Sequence, residues 1–435
     1  MLRRELGVVL GARATWAVAA LAALLVGHGF VLALDLYAAT SRSALGETLM
    51  RRELDPLAGL VRPTLGGLYV AVALLAPVLC VRPLALEKER RSFGALALAA
   101  GDTWPLVLAA WLAALAGASL LLAPPVALLL MARALGAHVD APETAVAFAG
   151  HALHLALVAT IATASAAWTR SSAQATGLAL AASLGSWALD AGDEFAALAW
   201  LRALEGLSIA RQLAPFERGI VPLGPAAWLL VATAGMLALS ALGASFARPR
   251  QKVFGAVAGA LLLAAGLSAA GAVRRAYDWS EERRASLPPA AVEALRALAL
   301  PLRVEVLYDR DDARRWQLER DVLAKLQLAR PDADIVAPLD ARSGARVAER
   351  EAGYGRLVLY VGDVTRETTS TSRREVTTLL FEAAGRPLPD WSQAPYPGYP
   401  WVAEGWRRTA LFGLAYVGLP GVLVALGLLL TRERS

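Results

Sequence analysis

His151 and His154 stand three residues apart inside an apolar run, so a helix there presents both on one face. Ionisable groups are costly among apolar residues and often mark sites. A metal or proton site also needs a third ligand or a carboxylate, and the apolar runs are read as supplying neither. The plainer reading is a neutral pair, hydrogen-bonded within a helix bundle or near its outer rim. HxxH without the HExxH frame is not a metalloprotease signature. The chain has no GxxxxGK[ST] and no GxGxxG opening a helix after a strand, so it has no nucleotide-hydrolysing loop of its own. All four histidines (His28, His138, His151 and His154) lie outside the polar stretch 274–408, which also lacks GxSxG. That excludes Ser-His-Asp and Cys-His chemistry there. Asp311 and Asp312 are adjacent and read as the cap of the helix that follows. No catalytic, cofactor or metal residue is assigned, and the chain is read as a non-enzyme.

The sharpest local feature is the loop Leu86 to Trp104, LEKERRSFGALALAAGDTW. It opens with Glu87, Lys88, Glu89, Arg90 and Arg91, then turns apolar through Leu96 and Leu98 and ends in Gly-Asp-Thr. A solvated loop has no need of the leucines and alanines. A short helix on the inner membrane face does, and it could dock into a partner's groove. The other reading is the start of the next span, and the pattern alone does not separate the two.

The elements that position these residues follow from composition. Of 435 residues, 57% are hydrophobic and 18% charged, and the mean hydropathy is +0.49. A soluble domain carries about 25% charged residues. The apolar residues come in blocks of bilayer length, about 20 residues each. Eight spans are expected: 15–37, 66–84, 105–131, 144–168, 173–189, 225–246, 253–273 and 409–430. The run from Trp16 to about Leu36 is too long for a signal-peptide core and reads as a retained first helix. Pro124-Pro125 should interrupt the third span. The single cysteine, Cys80, allows no intrachain disulfide.

The net charge of +6 is read as basic residues flanking membrane helices, and nucleic acid is not expected as a partner. Eight spans put both termini on one side. Inner loops would carry Arg3, Arg4, Arg13, Arg82, Lys88, Arg90, Arg91, Arg170, Arg248, Arg250, Lys252, Arg432 and Arg434. Arg51-Arg52, Arg274-Arg275 and Arg407-Arg408 fall outside, so the bias toward cytoplasmic termini is moderate.

The stretch 274–408 is long enough to fold as a domain. Leu302 to Tyr308 alternates as a strand, Asp311 to Leu328 has helical spacing, and Ile335 to Leu339 is a weaker strand. Arg356 to Val361 is a third strand, Gly362-Asp363 a turn, then a Thr/Ser-rich strand and a helix from Glu375 to Ala384. The exit, Pro387 to Trp406, is rich in Pro, Tyr and Trp and should be irregular at headgroup level. Phe195 to Leu213 reads as a short amphipathic helix on the outer surface. The fold class is thus an α-helical membrane protein with an inserted extracytoplasmic α/β domain.

At the Glu87-Lys88-Glu89-Arg90 run the chain resembles the ABC-2 permease family, whose members carry a stretch like ERERGTLELL. Ala95-Leu96 matches the apolar part, while Arg91-Ser92 replaces Gly-Thr and Gly94 stands where an acidic residue is common. Ser165 to Ala181 resembles the family's tight inner turn. Phe216-Glu217-Arg218-Gly219-Ile220-Val221 resembles its stretch before the sixth helix. From about Val253 the chain is similar to the auxiliary protein of gliding-motility-type ABC transporters. Tyr277-Asp278-Trp279-Ser280-Glu281-Glu282-Arg283-Arg284-Ala285-Ser286-Leu287-Pro288 follows that family's YDLTENKRYSLSP opening.

The resemblance implies a fusion: a six-helix permease over 1–252 with its coupling element at 86–104, a seventh helix at 253–273, a periplasmic α/β domain at 274–408, and an eighth helix with a cytoplasmic tail at 409–435. It implies a bacterial inner-membrane subunit of an ABC transporter, working as a homodimer. A cytosolic ABC ATPase dimer would grip Glu87, Lys88, Glu89, Arg90, Arg91 and Leu96. ATP and Mg would sit on that partner, not on this chain. Membrane lipid is a further expected contact. Two alternatives stand beside export or extraction of a substrate: mechanotransmission to a periplasmic or cell-wall partner without cargo, and a membrane-anchored binding scaffold.

Overall fold

The computed structural model describes residues 2–189, 196–309, 312–341, 354–389 and 396–432. Among these, seven helices are long and apolar enough to cross a membrane: Arg13–Gly46, Leu57–Glu89, Trp104–Ala134, Ala141–Trp168, Leu223–Ala244, Pro249–Gly271 and Trp406–Leu430. The protein is therefore a multi-pass helical membrane protein. The expected fifth span forms a shorter helix, Ser172–Ala188, of 17 residues. At about 1.5 Å per residue that length is at the lower limit for a bilayer core.

The membrane part begins with α1 (Leu2–Leu10) and α2 (Arg13–Ser43). It continues through α3 (Arg62–Cys80), α4 (Arg82–Glu89) and α5 (Phe93–Ala100). The third span divides into α6 (Trp104–Ala118) and α7 (Ala123–Ala134), joined by a 3-10 turn over Ser119–Leu122. Pro124 and Pro125 sit in the first turn of α7, where the missing N–H groups cost least, so the break falls just before them. Next come α8 (Ala141–Trp168), opened by Asp140 accepting from the Glu143 N–H at 3.0 Å, and α9 (Ser172–Ala188). Strand β1 (Ile220–Pro222) leads into α10 (Leu223–Ala244) and α11 (Pro249–Gly271), and strand β2 (Ala276–Asp278) follows.

Arg4 reaches Glu87 at 2.6 Å, tying α1 to α4. Trp16, Ala19, Ala20 and Ala23 of α2 form a cluster with Leu423 of the last helix, α15 (Trp406–Leu430). The alanines let these two backbones approach closely. Both described chain ends thus lie at one end of the bundle, with α4 and α5; we call this the hairpin end. At the opposite end β1 pairs antiparallel with β2, Val221 opposite Tyr277, across the ends of α10 and α11 that lie away from the hairpin. At the hairpin end the same two helices are joined by a short turn, with Lys252 Nζ donating to the Gly243 carbonyl at 2.8 Å. One long face of α11 is uncovered, including Phe254, Val257, Leu261 and Leu262, as lipid contact or an interface requires.

The polar stretch folds as a second unit with its own core. After α12 (Pro289–Arg296) come β3 (Leu302–Leu307) and α13 (Ala313–Leu318, continued through one wide turn as Ala324–Ala329). Then follow β4 (Asp334–Val336), β5 (Arg356–Val361), β6 (Val364–Thr368) and α14 (Arg373–Ala383). The sheet order is β4-β3-β5-β6, with β3 and β4 parallel and the other pairs antiparallel. Period-two alternation puts Leu302, Val304 and Val306 on the same buried face as Leu357, Leu359 and Val361. Leu318, Val322, Leu326, Val376 and Leu380 of the helices cover that face. Val361 pairs with Val364, so Gly362-Asp363 makes the expected two-residue turn.

Two expectations need correction. The exit segment is irregular over 396–404, as expected, but its aromatic residues do not all face outward. Trp401 and Ala403 are buried in the bundle's core, and Trp401 N–H donates to Ser41 Oγ at 3.1 Å. Only Trp406, 68% exposed, fits the interfacial role; residues 390–395 lie outside the described set. The segment 196–207 is a 3-10 stretch rather than an α-helix, followed by a short helix, Ile209–Leu213. It does leave Trp200, Leu204 and Leu207 uncovered, as an amphipathic surface element would. Phe195 lies outside the described residues.

Candidate functional site

The loop Leu86 to Trp104 is a helical hairpin, α4 turning into α5. The turn uses a left-handed residue, Arg91, at φ 57°. The hairpin closes at Gly101, φ 76°, a conformation that disfavours any side chain.

Three of the six expected residues face inward or sideways. The Glu87 carboxylate is nearly buried between Arg4 and Ser92. Burial, then the nearby charge of Glu87, raises the pKa of the neighbouring Glu5 carboxyl. Lys88 Nζ donates to the carbonyls of Ala166, Ala167 and Thr169, at 2.8, 2.9 and 2.6 Å. Those carbonyls end α8, where a cation meets both unpaired acceptors and the negative helix terminus. Glu89 accepts from the Ser172 N–H at 2.7 Å, at the start of α9. One side chain of the hairpin thus holds the end of α8, and the next holds the beginning of α9.

The other three divide differently. Arg90 and Arg91 are exposed. Leu96 is half-buried against the bundle, because Phe93, Leu96 and Ala97 share the inward face of α5. Leu98, 85% exposed, is the apolar side chain the hairpin presents outward. The outward surface is therefore Arg90, Arg91 and Leu98.

The sheet end is built of buried charge. Arg284 pairs with Glu143 at 2.9 Å and with Asp55 at 2.8 Å, joining the polar unit to α8 and to the loop before α3. The Glu281 N–H also donates to Glu143, at 3.0 Å. His138 contacts Glu281 at 2.7 Å and stacks on Tyr399, and Tyr396 OH donates to Glu281 at 3.0 Å. Gly219, φ 73°, permits a close approach, since a Cβ there would lie 2.9 Å from Ser280 Cα.

His151 and His154 are both buried. Their partners come from elsewhere in the chain. His151 Nε2 lies 3.1 Å from Glu217 Oε1, and His154 stacks on Tyr69 with ring centroids 4.7 Å apart. The carboxylate thus arrives from the loop before β1. The expectation that no acidic residue lies within a span also fails. Asp35 sits in α2 and pairs with Arg408 at 3.1 Å, and Glu143 lies in the first turn of α8. Glu143 is buried at the start of its helix, while Asp35, two turns before the end of α2, keeps 44% of its side chain exposed. Among the described residues no group of three metal-ligating side chains occurs. Asp312 caps α13, accepting from the Arg314 N–H at 2.9 Å; Asp311 lies outside the described residues.

Comparison with protein-family models, with curated proteins and with solved structures finds no match.

Proposed function

We propose that this chain is the membrane-spanning subunit of an ABC-2-type transport complex driven by a separate cytosolic ATPase. The hairpin end would face the cytosol and the sheet-bearing unit the periplasm. The observation that carries this reading is the hairpin's double attachment, Lys88 to the end of α8 and Glu89 to the start of α9. A push on the exposed Arg90, Arg91 and Leu98 surface would be delivered to both helices at once. The missing phosphate-binding loop fits a subunit that borrows its motor. ATP binding can drive such a subunit only by favouring one membrane conformation over another. We further propose a bacterial inner-membrane setting and a homodimer, with α11's uncovered face a candidate for that contact or for lipid.

The sheet-end junction favours a second reading, mechanotransmission without cargo. Arg284, Glu143, Asp55 and Glu281 bind the outer unit to the bundle, so helix motion would reach an outer partner directly.

The test is copurification of the tagged chain from membranes with an ATPase. Arg90→Ala combined with Leu98→Asp should abolish association. Glu89→Ala should keep association but lose coupling of ATP turnover to function, because it cuts the link to α9 alone. Unchanged association and coupling in all of these variants would remove the assignment.

A further inference from the structure

A cleft of about 510 Å³ lies between the sheet end of the bundle and the polar unit. One wall is Arg62, which opens α3, and Arg218, two residues before β1. The other wall comes from α13 and the sheet edge, with Arg315, Trp316, Glu319 and Arg320. Four guanidinium groups therefore face one space.

Three carboxylates around it are engaged, and a fourth, Glu53, lies within electrostatic reach of Arg320. Glu319 is held by Arg315 at 2.7 Å, Asp321 by Arg320 at 2.8 Å, and Glu217 by His151 at 3.1 Å with Arg62 at 3.9 Å. Arg62 Nε is buried without a hydrogen-bond partner. Arg218 is exposed to the cleft, and no hydrogen bond or ion pair holds its guanidinium among the described residues. Partial desolvation inside the cleft, then the positive charges of Arg62 and Arg320, lower the pKa of Arg218, against the opposing pull of Glu217 and Glu319. Like charges crowded around open space, with donors left over, are what a bound anion relieves. Trp316, Val306, Leu323 and Ile335 supply apolar wall beside them.

We propose that this cleft binds a phosphate-bearing anion, gripped by Arg218 and Arg62 with Arg320 opposite. Arg62 stands at the mouth of a membrane helix, so the phosphate of a lipid headgroup and that of a soluble compound both reach the site. The inference is independent of any ATP-driven role.

The test uses the full chain in detergent. Native mass spectrometry compares retention of phosphatidylglycerol with that of phosphatidylcholine. Thermal unfolding compares inorganic phosphate with chloride at equal ionic strength. Arg218→Gln should weaken anion binding roughly tenfold, as loss of a charge-assisted hydrogen bond requires, and Arg218→Lys should weaken it less. Arg356→Gln, which removes an arginine from β5 away from the cleft, controls for net charge and should leave binding unchanged. Stabilisation by inorganic phosphate that Arg218→Gln abolishes identifies a soluble ligand. Preference for phosphatidylglycerol alone, lost in the same variant, identifies a headgroup. Equal binding by wild type, Arg218→Gln and Arg320→Gln, or no binding by wild type to any probe, overturns the proposal.

Discussion

The two ends of the bundle are held in different ways. At the sheet end, charged and aromatic side chains from the polar unit interlock with α8 and with the loop before α3, and each carboxylate serves more than one donor. At the hairpin end, two side chains reach to backbone groups of neighbouring helix ends and leave an outward surface free. An interlocked charge cluster resists motion, because removing any member strands the others. The hairpin is anchored by Lys88, by Glu89, by the Arg4–Glu87 pair and by the inward face of α5, and it keeps one surface free. On the proposed function, the contrast marks one end as a joint and the other as a handle.

The largest expected effect lies at the joint. Arg284→Met leaves Glu143 and Asp55 facing each other without their cation, and loss of one partner of a buried pair costs about 3–5 kcal/mol. Hydrogen exchange in the full chain should rise over 276–288 and 396–404, and Glu143→Gln in the same background should restore much of the protection. At the handle, Lys88→Met removes a cation from three carbonyls and should cost about 1.5–3 kcal/mol. Exchange should then increase over α4, α5 and the end of α8 while the sheet end stays protected. Loss of protection at both ends together would show that the two are not separable.

A third test concerns Lys325, whose Nζ donates to the Arg284 carbonyl at 2.7 Å. Burial, then the nearby charge of Arg373, lowers its pKa to about 8. The unfolded chain, with lysine near 10.4, binds more protons between these values, so stability rises with pH across that window and is flat below it. Exchange over α13 should slow from pH 8 to pH 10 relative to intrinsic rates, and Lys325→Met should flatten that trend. The smallest effect is expected for Asp312→Ala, which removes the α13 cap and should cost about 1 kcal/mol. The Arg314 hydrogen bonds hold the Asp312 carboxyl at about 2. Its contribution is therefore present above pH 4 and lost only as pH falls through 2.

Local pattern carried some features and not others. The alternation of Leu302 to Tyr308 reads directly as the strand that forms, and the apolar blocks read as helices. Both are properties of consecutive residues. Glu217 as the partner of His151 is not legible that way, because 66 residues separate them and the fold supplies the contact. Within the hairpin, the charged run was visible as a feature. What it could not reveal was that Lys88 and Glu89 point back to α8 and α9 while Arg90 and Arg91 point away. Adjacent residues on a helix differ by about 100° in direction, and only the packed neighbours decide which of them faces inward. Asp35 stands inside an apolar run, and its pairing with Arg408, far along the chain, is likewise supplied by the fold.

The β1–β2 pairing has a mechanical corollary. It fastens the top of α10 to the top of α11, while the turn with Lys252 and Gly243 fastens their feet. Two rods secured at both extremities cannot slide past one another. They can only lean together, and because the globular part is threaded directly onto the upper fastening, any lean of this strut tips that whole mass with it.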